Sequence, residues 1–109
     1  MIVIPTRHIE NVYTLMPDVA VHVHEAARRI AIALKVVYQC DGISTRQHNE
    51  PAGYQEVWHS HVHVFPRYVN DHLYEQTHLH RLTSPAERSP YAECLRPYFR
   101  QDDLGPGAE

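Results

Sequence analysis

Apolar residues recur at spacings of three and four between Pro17 and Gln39: Val19, Val23, Ala27, Ile30, Leu34 and Val37. On a helix with 3.6 residues per turn these positions form one stripe, so the spacing predicts an amphipathic helix packed on a sheet. Pro17 and Asp18 suit its first turn, where a missing N–H costs nothing and a carboxylate meets the positive end of the helix. Arg28, Arg29 and Lys35 lie off the stripe. Cys40-Asp41-Gly42 supplies turn chemistry at the far end.

Elsewhere the period is two. Ile2-Val3-Ile4, closed by Pro5, reads as a strand, and Thr6-Arg7-His8 as a polar bend after it. Gly42 to Gln47 reads as a second strand, and Asn49-Glu50-Pro51-Ala52-Gly53 as a loop. Gln55 to Phe65 then makes the central strand, and a connection of this length joins the two as an antiparallel hairpin. Ser84-Pro85-Ala86-Glu87 has the S-x-x-E form of a capping box with Pro at the first helical position, so a second helix starts there. Pro90 is expected to kink or restart it, and Pro97 to limit its run. In this reading residues 1–100 make one domain, and residues 101–109, with Gly105-Pro106-Gly107, a disordered tail. The fold class expected is α+β, an antiparallel sheet with one long helix on a face.

Composition narrows the partners. At 109 residues the chain fits one domain with a small core. A net charge of -3, with acids and bases mixed along the chain, offers no basic field for nucleic acid. The apolar run at Ile2 to Ile4 is too short for a membrane span or a signal segment, so no membrane partner is expected. Two cysteines, Cys40 and Cys94, in no C-x-x-C spacing, suit a reducing cytoplasm. Ten histidines make charge sensitive to pH between about 5 and 8.

Three of those histidines fall in register. His59, His61 and His63 share one parity, and Ser60, Val62 and Val64 the other. A strand would place the three imidazoles on one face, with neighbouring Cα atoms roughly 6.5 to 7 Å apart. Such a face could hold zinc, as three-His sites do, or could act as acid, base or nucleophile; spacing alone leaves these readings level. His22 and His24 diverge on a helix and read as surface residues, and His78 and His80 read as loop. His8, taken by itself, reads as a surface residue in a turn.

The segment His59-Ser-His61-Val-His63-Val-Phe-Pro66-Arg67 resembles the H-x-H-x-H signature of the histidine triad (HIT) family. The flanks agree: Ile2-Val-Ile-Pro5-Thr-Arg7-His8, Asp41-Gly42-Ile43 and Gln55-Glu-Val57-Trp-His59 follow in the family's order. The resemblance implies a hydrolase or nucleotidyltransferase acting at the α-phosphate of a nucleotide conjugate, an adenosine phosphoramidate or a dinucleoside polyphosphate, through a nucleotidyl-histidine. By position His61 matches the nucleophile, and His63 the residue placed against the transferring phosphate. His59 and His8 match the two imidazoles that orient groups and relay protons. Gln55 matches a glutamine beside the phosphate. Asn49 falls near the family's polar loop position, offset by a residue or so, and Glu50 stands where glycine is common. No metal or other cofactor is required for this chemistry. The implied partners are a small nucleotide and a second copy of the chain, since members are commonly homodimers.

The same resemblance implies that the usual N-terminal strand hairpin and small helix, which carry much of the nucleoside pocket, are missing. The alternative reading is therefore a nucleotide-binding or metal-binding remnant with impaired catalysis. His8 is expected to fold against His59 on the face of His61. Trp58 and Ser60 should point the other way.

Overall fold

The computed structural model describes residues 1–75 and 83–102. Three strands, β1 (Ile2–Val3), β2 (Gly42–Arg46) and β3 (Val62–Arg67), and two helices, α1 (Pro17–Tyr38) and α2 (Pro85–Asp102), carry the fold, with three short 3-10 turns between them. The sheet is antiparallel throughout, in the order β1-β3-β2. This is the expected α+β class, with α1 on one sheet face.

The stripe on α1 does what its period predicts. Ala27 and Leu34 are buried in one apolar cluster with Val3 and Val64, and the partly buried Val23, Ile30 and Val37 pack against that cluster. Ala33, which lies beside the stripe, is also fully buried. The helix stops at Tyr38 because Gln39 turns into the left-handed region, φ 51° and ψ 38°, and Lys35 Nζ donates to the Cys40 carbonyl at 2.6 Å.

Two boundaries differ from expectation. The central strand begins at Val62 rather than Gln55 and runs on to Arg67. Residues 55–61 alternate in sequence, yet their polar groups bond to loops: Gln55 N–H donates to Glu50 O at 3.0 Å, and Ser60 N–H to Ile9 O at 2.6 Å. A ladder cannot form where its donors are already used. At the other end Pro66 is tolerated. Val64 N–H points to the β1 side, where it donates to Met1 O at 2.8 Å. Pro66, two residues on, faces that side past the end of β1, so its missing N–H breaks no ladder bond.

Helix α2 also departs from expectation, running through both Pro90 and Pro97. Its capping box is complete: Ser84 N–H donates to Glu87 Oε2 at 2.7 Å and Glu87 N–H to Ser84 Oγ at 3.2 Å. Each proline removes one helical hydrogen bond, but Leu95 is buried and Tyr98 and Phe99 pack on the core. Burial on α1 holds the helix across the breaks. Residues 101 and 102 belong to α2; the rest of the tail, and His78 and His80, lie outside the described residues. No helix among the described residues is long and apolar enough to cross a membrane.

Candidate active site

Side chains opposite one another in an antiparallel pair share a face. Val64 is fully buried under α1, so His63, Phe65 and Arg67 occupy the open face of β3. Arg46 pairs with His63, Ser44 with Phe65 and Ile2 with His63, which puts these three on the same open face.

Of the three triad imidazoles only His63 lies in a strand; His59 and His61 sit on the irregular lead-in. Contacts rather than pleating collect them. The turn after β1 carries Pro5 and His8 to His59: His59 Nε2 donates to the Pro5 carbonyl at 2.9 Å, and the His8 ring meets the His59 ring edge-on, centroids 5.5 Å apart. Pairing of β1 with β3 delivers that turn to this place. His61 and His63 form a second edge-on pair at 5.0 Å, and His63 stacks on Phe65 at 5.5 Å. Ser60 is buried on the helix side, where with Val62 it borders a cavity against Val23 and Ala27, and Trp58 is exposed.

His61 has a defined tautomer. Its Nδ1 lies 2.8 Å from the His59 carbonyl, and a carbonyl only accepts, so Nδ1 carries the hydrogen. The lone pair is left on Nε2. Burial, then the nearby positive charges of His61, Arg46, the chain's amino terminus and His48, push the pKa of His63 below its ordinary value.

Gln55 and Asn49 serve the surrounding loops. Buried Gln55 donates from Nε2 to the carbonyls of Glu10 (2.7 Å) and Val57 (3.0 Å), and its Oε1 accepts from Glu50 N–H at 2.8 Å. Asn49 Oδ1 accepts from Val12 N–H at 2.8 Å and from Gln47 Nε2 at 2.7 Å, and Asn49 Nδ2 donates to Gln47 Oε1 at 3.1 Å. These amides tie the loop after β2 to the segment before α1.

Arg46 is the neighbour that sequence reading missed. It looks like an ordinary strand residue until the hairpin register is known, and the register puts it directly across from His63. Its guanidinium lies over the rings of Phe65 at 5.1 Å and Tyr74 at 5.7 Å. His8 and His59 alone do not make a metal site, because among the described residues no three His, Cys, Asp or Glu side chains converge to hold an ion.

Comparison with known proteins bears on the family and the fold. The chain is 37% identical over 67 residues to Protein hit of Bacillus subtilis, covering 62% of this chain and 46% of that protein. It is 34% identical over 70 residues to an uncharacterised HIT-like protein of Saccharolobus solfataricus, covering 64% and 50%. The chain therefore spans about half the length of these curated relatives. Among solved structures, a zinc-bound histidine triad family protein from Mycobacterium smegmatis matches with a TM-score of 0.73 and 27% identity, over 94% of this chain and 69% of that one. A hypothetical histidine triad nucleotide-binding protein from Sulfolobus tokodaii, 17% identical, shares the fold with a TM-score of 0.76 over 97% of this chain and 72% of its own. The HIT domain family model matches residues 1–70, well over half of the sequence and the whole of the imidazole cluster, and the chain belongs to the HIT family.

Proposed function

We propose that the chain is a HIT-type hydrolase or nucleotidyltransferase that cleaves a nucleotide conjugate at its α-phosphate through His61. The observation that carries this reading is the 2.8 Å bond from His61 Nδ1 to the His59 carbonyl, which leaves Nε2 as a free nucleophile. In the first step Nε2 attacks the α-phosphorus, a P–N bond forms, and the bond to the leaving group breaks with its electron pair. A leaving amine takes a proton from a protonated imidazole of the cluster, with His59 and His8 in contact to relay it. In the second step water attacks the same phosphorus and gives a proton back to the imidazole that protonated the leaving amine, while the P–N bond breaks with its electron pair returning to Nε2 and regenerates His61. His63, touching His61, stands against the phosphoryl oxygens. In this reading Gln55 and Asn49 support the phosphate-side loop, and the nucleotide is a small-molecule partner of a cytoplasmic homodimer. No cofactor takes part.

The competing reading is a nucleotide- or metal-binding remnant without turnover. It draws on the complete commitment of the Gln55 amide to backbone groups. One assay separates them: the 109-residue chain is incubated with a fluorogenic adenosine phosphoramidate and a chelator. Turnover that disappears in His61→Ala, with an unchanged circular dichroism spectrum, is the expected result. No turnover, with metal binding that is lost on His59 substitution, establishes the remnant instead.

A further inference from the structure

The open sheet face carries two guanidinium groups in different states. Arg67 is neutralised: Nε and Nη2 each donate to the Asp71 carboxylate at 2.8 Å, and Nη1 donates to Ser44 Oγ at 3.0 Å. Arg46 is not. Its contacts are the faces of Phe65 and Tyr74, and its Nε is buried without a hydrogen-bond partner among the described residues. No carboxylate forms an ion pair with it among those residues. A half-buried cation with an unused donor is costly unless an anion completes it. Aromatic faces hold the group in place; Nε is closed off by burial, and the two terminal nitrogens, which have no hydrogen-bond partner among the described residues, are the donors left for an anion.

Position identifies the anion. Along β3 the order is His61, His63, Phe65, and Arg46 stands beside the last two, one step beyond the nucleophile. A phosphorus under attack at His61 Nε2 would place the next group of the substrate toward Arg46. We propose that Arg46 binds the phosphate adjoining the α-phosphate and so selects substrates whose leaving group is itself a phosphate, dinucleoside polyphosphates above phosphoramidates.

This inference rests on the nucleotidyl-transfer reading and names its substrate class. The chemistry of departure supports the choice. When a P–O bond to a leaving phosphate breaks, the electron pair stays on that oxygen, and a fixed cation stabilises it without proton transfer. When a P–N bond to an amine breaks, the nitrogen needs a proton, which guanidinium does not release. Arg46 therefore helps one leaving group and not the other.

The test pairs turnover with binding on the full chain. For Arg46→Gln, kcat/KM toward diadenosine tetraphosphate should fall about ten-fold or more, the scale of one charged hydrogen bond. Turnover of an adenosine phosphoramidate should fall by a clearly smaller factor, so that the ratio of the two activities shifts against the polyphosphate, and Arg46→Lys should recover part of that shift. Calorimetric titration with inorganic tripolyphosphate should show binding that weakens by a similar factor in Arg46→Gln and persists in His61→Ala. Equal losses on both substrates, or tripolyphosphate binding that is absent or indifferent to Arg46, overturn the proposal. If neither substrate turns over while tripolyphosphate binding still depends on Arg46, the hydrolase reading fails and the anion site stands. Circular dichroism of both variants excludes unfolding as the cause.

Discussion

His63 is the imidazole on which its surroundings act most directly. It stacks on Phe65, touches His61 and sits across the ladder from Arg46, so both burial and nearby positive charge oppose its protonation. Its folded pKa lies below its unfolded one. In the window between that depressed value and about 6.5 the unfolded chain binds more protons than the native state, so stability rises with pH there. The contribution is complete above about pH 6.5 and is lost as pH falls through the folded value. Removing the ring should flatten this dependence. Thermal melts of wild type and His63→Ala between about pH 5 and pH 7.5, the range of histidine titration, are expected to show the wild type losing more stability toward the acid end. Parallel curves for the two proteins would refute the assignment.

Among the elements, the loop between β2 and β3 holds the clearest conflict between residue type and backbone. Glu50 adopts φ 64° and ψ 162°, a region that glycine occupies readily and other residues enter at a cost of about 1–3 kcal/mol. The surroundings force it there: Glu50 N–H donates to Gln55 Oε1 at 2.8 Å, and Glu50 O accepts from the N–H groups of Gly53 and Gln55, each at 3.0 Å. The side chain returns little, a 3.3 Å bond from the exposed Tyr13 hydroxyl. Glu50→Gly should therefore raise stability by about 1 kcal/mol, after the extra unfolded-state freedom of glycine is counted. Glu50→Ala keeps the strain and should gain nothing. Urea denaturation of the three proteins decides it, and a Gly variant no more stable than the Ala variant would count against the strain. The departure from glycine was visible in the sequence, but its consequence was not, since φ at one loop residue depends on contacts with Gln55. Local signals elsewhere were fully legible. The Pro17 start and the Ser84–Glu87 capping box each lie within about one helical turn, and the α1 stripe is built from steps of three and four residues. Non-local features were not. The lead-in to β3 keeps a strand's alternation while its donors go to Glu50 and Ile9, and Arg46 joins the site only through the hairpin register. The contact between His8 and His59 followed from family resemblance, because no local pattern links residues so far apart.

At the scale of the molecule, α1 has two apolar sides. One is the core stripe, which meets Val3 and Val64. The other faces outward: Val21, Ile32 and Val36 are 67%, 41% and 59% exposed. At about 100° per residue these three fall within roughly 60° of arc, so they form one strip along the helix. Glu25 and Arg28 lie between them and neutralise each other in a 2.7 Å ion pair, which removes net charge from the middle of the strip. Exposed apolar residues on either side of an internally balanced pair suit burial against another surface better than exposure to water. The proposed homodimer would use it, since a two-fold axis lets the same strip serve both subunits. Ile32→Glu places a carboxylate at the centre of that contact and leaves the core stripe and the imidazoles untouched. Sedimentation velocity should show wild type moving toward dimer as concentration rises, and Ile32→Glu staying monomeric with an unaltered circular dichroism spectrum. Wild type that remains monomeric at high concentration would exclude the homodimer; a dimer unaffected by Ile32→Glu would move its interface to another face, away from the outward side of α1.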